Sequence, residues 1–196
     1  MRTIKRIFVH CTAGPQNQSV EAIKKYWKTH NKWTSPGYHY IIKADGEIVP
    51  LQPEDKPSNG VAGYNSTSIN VCYIGGVDKQ GRPIDNRTDA QKASLATLLK
   101  ELHSRYPDAE ILGHRDIWGS NPKNWKKACP CFDVKKWWDE VLTEDTHEEE
   151  VIMDKPNTPI WAPEPINIPN EPIVKPEKIS WIKAIFTVLT SLFKKK

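Results

Sequence analysis

The chain holds 196 residues, 38% hydrophobic and 27% charged, which is the balance of a soluble globular protein and excludes a low-complexity or membrane-embedded class. Its formal net charge of +4 is modest for that length, and no long basic run precedes the closing Lys194-Lys195-Lys196, so no nucleic-acid partner is expected. Four cysteines (Cys11, Cys72, Cys129 and Cys131) suffice for two disulfides, but a chain of this size has core enough without them, and reduced thiols or metal ligation fit better.

In chain order, MRTIKRIFVHC runs straight into a strand pattern with no apolar signal-peptide stretch, so cytoplasmic synthesis without a signal peptide is expected. IKRIFVH alternates and then turns continuously apolar, predicting a strand that enters a buried sheet. After the polar GPQNQ, Ser19 caps a predicted helix with Val20, Ile23 and Trp27 at helical spacing. YHYIIK and EIVPL predict two strands joined at Asp45-Gly46, a hairpin signal. INVCYIGG predicts a further buried strand closed by paired glycines. Thr88 and Gln91 then form a capping box, opening a helix whose inner face is Leu95, Leu98, Leu99 and Leu102 and which Pro107 stops. AEILGH predicts another strand, and FDVKKWWDEVL a short closing helix with Asp133 as its N-cap. Interleaved strands and helices predict the α/β class, a central mixed β-sheet flanked by helices.

Residues 1–143 therefore read as one domain. Residues 144–178 turn acidic and then proline-rich, a semi-rigid linker with no means of burying a core. Residues 179–196 place Trp181, Ile182, Ile185, Val188, Leu189 and Leu192 on one face of an amphipathic C-terminal helix with terminal lysines. That segment is short for a bilayer span, which needs about 20 residues. Two readings stand: a helix lying on a membrane surface with its lysines drawn to anionic lipid, or one docked on a protein partner.

Candidate ligands stand where strand patterns end. His10 closes IFVH, His114 closes EILGH, and Cys129 follows the loop after His114. Strand ends converge at one sheet edge, where α/β proteins commonly hold ligands. Two imidazoles and one thiolate around zinc leave a fourth position for water, the mark of a catalytic and not a structural site. The spacing is not a motif in itself, and most histidines and buried cysteines are structural, so on the residues alone both readings stay open. Cys129-Pro130-Cys131 is too tight for the usual structural zinc half-site.

FVHCTAG, GYHYIIKADG, GYNSTSINVCYIGG, GHRDI and KACPCFDVKKWW occur in the order found in type-2 N-acetylmuramoyl-L-alanine amidases. The chain resembles that branch of the peptidoglycan-recognition-protein superfamily, and within it the small lysozyme-amidases of T-odd phages, over about residues 3–142 and not over the tail. The resemblance implies the family's central mixed sheet and zinc-dependent hydrolysis of the amide between N-acetylmuramic acid and L-alanine in peptidoglycan, an endolysin-like activity exerted on the cell wall after release or on wall fragments. It implies Zn2+ held by His10, His114 and Cys129, with Tyr38 as the active-site tyrosine and Lys127 as the catalytic lysine.

Chemistry refines those roles. A cation two residues before a ligand is placed to stabilise an oxyanion, and Lys127 suits this better than Lys126, which points away if the segment is extended. Tyr38, with a phenol pKa near 10, suits positioning of water or carbonyl and not proton abstraction. In that extended segment Cys131 faces the same side as Cys129, as a bystander thiol. Family members often carry serine there. Cys11 and Cys72 read as small buried hydrophobes, and His39 as structural. Asp116 either caps the loop after His114 or orients a ligand imidazole. Trp118 and Trp125 are either a wall of the glycan groove or a packed flap. Some relatives carry a histidine near Asn59, and its absence leaves the proton donor to the leaving amine unassigned. The competing reading is a peptidoglycan-binding module without catalysis, which retention of Cys129 and Lys127 argues against.

Overall fold

Apolar runs make the centre of the sheet, because parallel strands covered on both faces must be apolar on both. In the computed structural model, which describes residues 2–153, β1 (Arg6–Cys11) pairs in parallel with β4 (Ser68–Tyr73), setting Ile7 against Ile69 and Val9 against Val71. β5 (Glu110–Gly113) lies parallel on the other side of β1. β2 (Tyr40–Ile42) runs parallel to β4, and β3 (Ile48–Pro50) closes the edge antiparallel to β2. The order is β3-β2-β4-β1-β5, the mixed sheet the sequence predicts.

Helices cover both faces. On one, Ile7 and Val9 of β1 and Ile69, Val71 and Tyr73 of β4 pack with Leu95, Leu98, Leu99 and Leu102 of α2 (Asp89–Arg105). Each of those leucines, almost wholly buried, contributes roughly 1.5–3 kcal/mol by leaving water. Val134, Trp138 and Val141 of α3 (Val134–Met153) complete this layer. On the other face Val20, Ile23 and Trp27 of α1 (Val20–Thr29) pack on Ile41, Cys72 and Ile74, while Phe8 meets Val61 and Leu112. Alternation therefore turns Phe8, His10, Asn70 and Cys72 away from α2, towards the α1 side.

Local chemistry sets the boundaries. Ser19 Oγ accepts from the Ala22 amide at 3.1 Å, and Thr88 and Gln91 make both bonds of the capping box at 3.0 and 3.1 Å. Gly46, with φ of +88°, closes the hairpin turn, where Lys43 N–H donates to Glu47 O at 2.9 Å. The last helix is longer than predicted. It continues past Leu142 to Met153, the last residue described, through Glu-rich sequence without glycine or proline, which favours helix propagation. Most of the linker and the helix expected at residues 179–196 lie outside the described residues. Among those described, no helix is long and apolar enough to cross a membrane.

Candidate active site

Register brings the two histidines together. β1 and β5 are parallel with Val9 opposite Gly113, so His10 and His114 are the next residues along two adjacent strands at one end of the sheet. Their Nδ1 atoms are 3.2 Å apart. A 3₁₀ turn, His114–Trp118, begins there, and Asp116 Oδ2 accepts the Gly113 N–H at 2.8 Å. Of the two roles weighed for Asp116, the structure shows capping. The loop after this turn returns to the same edge, where Arg115 N–H donates to Cys129 O at 2.9 Å. Cys129 Sγ then lies 3.9 Å from His10 Nδ1 and receives the Cys11 N–H at 3.2 Å. One donor atom from each of His10, His114 and Cys129 falls within 4.8 Å of the others.

Hydrogen bonding chooses the face His10 presents. Its Nε2 lies 2.9 Å from Asn70 Oδ1, an acceptor, so the ring proton sits on Nε2 and the Nδ1 lone pair points at Cys129 and His114. Both His10 and Asn70 are buried. Burial, with His114 and then Lys127 nearby, lowers the His10 pKa to about 3, and burial followed by Lys127 lowers that of His114 to about 4. Both imidazoles are neutral at neutral pH, as ligands must be. The His10 lone pair, the His114 ring nitrogen beside it and the Cys129 sulfur converge and can hold a divalent cation.

A cleft of about 420 Å³ opens over this cluster, with Thr12, Trp27, Trp33, Tyr38, Asn59 and Lys127 among its walls. Tyr38 stands beside His10, ring centroids 5.0 Å apart, with Trp27 edge-on to it at 5.4 Å. Gly37 permits this packing, since a Cβ there would lie 2.9 Å from the Trp27 ring. Burial, and then the Cys72 and Cys129 thiols, hold the Tyr38 hydroxyl well above its ordinary pKa of 10, so it is a neutral hydrogen-bonding group at any working pH. Lys127 is exposed at the cleft wall, and Lys126 is not part of the lining. A larger concavity of about 1010 Å³ lies between the 115–125 segment and α3 and contains none of the three clustered residues.

The family model for N-acetylmuramoyl-L-alanine amidase matches residues 1–132. The chain belongs to that family. The endolysin of Klebsiella phage KP32 is 39% identical over 143 residues, which are 71% of this chain and 90% of that protein. The endolysin of Escherichia phage T7 is 38% identical over 142 residues, 71% of this chain and 89% of that one. Among solved structures, the Ph2119 endolysin from a Thermus scotoductus bacteriophage superposes with a TM-score of 0.58 at 25% identity, covering 72% of this chain and 86% of that one. The amidase hydrolyses the bond between N-acetylmuramic acid and L-alanine in peptidoglycan.

Several expectations change at this level of detail. Cys131 does not face the same side as Cys129: its N–H donates to Ala128 O at 2.7 Å, closing a turn, and its φ of +75° swings the thiol towards Cys11 and Gly76 O. The segment is a tight turn where an extended one was expected. Trp118 stacks on the His114 ring at 5.6 Å, and Trp125 packs on the Arg115 guanidinium at 4.1 Å and lines the larger concavity, not the cleft over the His10–His114–Cys129 cluster. The sequence marks Asn70 only weakly, as a polar residue inside INVCYIGG on the same alternate face as His10.

Proposed function

We propose that the amidase is a zinc hydrolase in which His10 Nδ1, His114 and the Cys129 thiolate hold the metal, Tyr38 positions the reacting groups and Lys127 stabilises charge. The observation that carries this reading is the Asn70 bond to His10 Nε2, which commits one ring nitrogen and leaves the other aimed at Cys129 and His114. Zinc held by these residues would supply Lewis acidity and make water a nucleophile near neutral pH. The chain's own groups do the rest. Trp27 and Trp33 wall the cleft and hold the substrate against the sheet end. Tyr38, kept neutral, donates its O–H to the scissile carbonyl or accepts from the attacking water, and does not take a proton itself. Lys127 places a cation at the same cleft, where negative charge develops on the carbonyl oxygen as the amide carbon becomes tetrahedral. Purified full-length protein should release free stem peptides from sacculi and stop on chelation. Undiminished release by protein shown to be metal-free would overturn the zinc reading.

The physiological role that fits is lysis of the wall after release of the protein from the cytoplasm, a reading supported by its similarity to phage endolysins. Residues 156–196 would serve as a tether to a membrane surface, on the strength of the amphipathic pattern from residue 179 onward. Flotation with anionic liposomes should fall when those residues are removed, and equal partitioning of the two proteins would discard the tether.

A further inference from the structure

Cys131 is outside the proposed metal set, yet its sulfur lies 3.7 Å from that of Cys11, a residue 120 positions away. Cys11 ends β1 directly after His10, and Cys131 follows Cys129 by two residues. The backbone is held on both sides of the pair. Thr12 N–H donates to Tyr73 O at 3.1 Å, Tyr73 O–H donates to Pro130 O at 2.7 Å, and Cys131 N–H closes its turn on Ala128 O at 2.7 Å. Gly76 lies so close that a Cβ there would fall 2.4 Å from Cys11 Sγ, and its carbonyl accepts from the Cys131 thiol at 3.2 Å. Together these contacts hold the two sulfurs in contact. A disulfide needs about 2.05 Å between sulfurs, so the pair closes from sulfur–sulfur contact by turning its side chains.

We propose that Cys11 and Cys131 are an oxidisable pair that forms a disulfide when the amidase meets a disulfide oxidant such as oxidised glutathione. Cys131 is half-buried and Cys11 buried, so Cys131 is the thiol the oxidant reaches first; contact with the Cys11 thiol and then burial raise its pKa, so the exchange is slow. The Cys131 thiol loses a proton, attacks one sulfur of the oxidant and expels one glutathione thiolate, which takes up that proton. The Cys11 sulfur then displaces the second glutathione in the same way. Two protein thiols are oxidised, one oxidant disulfide is reduced to two thiols, and the proton count balances. The product staples β1, carrying His10, to the turn carrying Cys129. The Cys129 sulfur remains free, which a pairing within Cys129-Pro130-Cys131 would not allow. The pairing itself is independent of the zinc reading; only the sparing of Cys129 rests on it.

The test uses the full-length, fully reduced protein, with and without zinc, exposed to oxidised glutathione and mapped by non-reducing peptide mass spectrometry. A peptide joining Cys11 to Cys131 is expected, with free thiols falling from the four of the sequence to two, zinc content unchanged and the thermal midpoint raised by several degrees. Cys131→Ser should abolish both the linkage and the midpoint shift while keeping its zinc. Four persistent thiols under conditions that oxidise a control dithiol, or a linkage through Cys129 with release of zinc, would each overturn the proposal. The map on the native protein decides even if the variant folds poorly.

Discussion

Replacing Asn70 with alanine tests the orientation of His10 without touching a proposed ligand. Asn70 Oδ1 accepts the His10 Nε2 proton at 2.9 Å, and its Nδ2 donates to Ser58 Oγ at 2.9 Å, all inside a region from which water is excluded. Alanine leaves the His10 N–H without an acceptor, and an unsatisfied buried donor costs about 1–3 kcal/mol. The ring can recover part of this by moving its proton to Nδ1, the nitrogen needed for the metal. Loss of such an orienting partner typically weakens metal binding 10–100-fold, or about 1.4–2.7 kcal/mol, the same range as the hydrogen-bond cost. Zinc titration of the full-length protein against a competing chelator reads the affinity, and nitrogen NMR of the metal-free protein reads the tautomer. Asn70→Ala should bind zinc 10–100-fold more weakly and show a mixed His10 tautomer, whereas Asn70→Asp, which keeps an acceptor, should stay within a few-fold of the native protein. Native zinc affinity in Asn70→Ala would refute the reasoning.

The ligand set predicts that Cys129→Ser loses zinc and peptide release together, measured by metal analysis and sacculus digestion. Lys127→Ala should keep its zinc and lose roughly 10²-fold or more in turnover, the usual effect of removing a group that stabilises an oxyanion; equal loss of metal would make the lysine a structural residue. Gly60→Ala should lower the denaturation midpoint by the equivalent of about 1–3 kcal/mol, because its Cβ would fall 2.3 Å from Asn70 Cγ with no space to relax. Acid should destabilise the metal-free protein in a defined window. Burial is the chief cause that lowers His10, His39 and His114 from 6.5 to about 3, 4 and 4. The unfolded chain therefore binds more protons than the folded one between these values. Stability is complete above pH 6.5 and is lost as the pH falls towards about 4, by at most about 1.4 kcal/mol per pH unit for each of the buried His10 and His39 and by less for the half-buried His114. Denaturant titrations that give the same midpoint at pH 7 and pH 5 would contradict this.

Local signals carried most of the fold. Ser19, the Thr88–Gln91 box and Asp45-Gly46 act within four residues of themselves, and each appears where the sequence puts it. The four leucines of α2 likewise face the sheet, since helical spacing alone selects that stripe. What needs two distant segments was less legible. Strand ends could be marked at His10 and His114, but only the pairing of β1 with β5 in a given register makes them neighbours. Extended-chain alternation puts Cys131 on the Cys129 side, and it fails at a turn closed by an i to i+3 hydrogen bond. In the sequence Asn70 is masked by the apolar run around it, and its partners His10 and Ser58 lie 60 and 12 residues away.

The site joins the two cores of the domain. His10 is carried by β1, whose alternate residues Ile7 and Val9 pack under α2 and α3, yet its own ring lies on the α1 side with Asn70 and Tyr38. Cys129 comes from a turn whose following residue but two, Phe132, is buried in the α2–α3 layer and covered by the Arg87 guanidinium at 3.3 Å. Asp85 pairs with Arg87 at 2.9 Å, so a loop remote in sequence helps fix the Cys129 turn. A change that loosens either layer therefore moves one proposed ligand relative to another. An open metal site tolerates such movement poorly, because three protein donors must meet at one point with no fourth to compensate. Arg87→Ala should accordingly speed zinc loss to a chelator while the α1 side of the sheet keeps its amide-exchange protection; unchanged zinc release would show that the turn's contacts with Tyr73, Arg115, Cys11 and Gly76 hold it without Arg87.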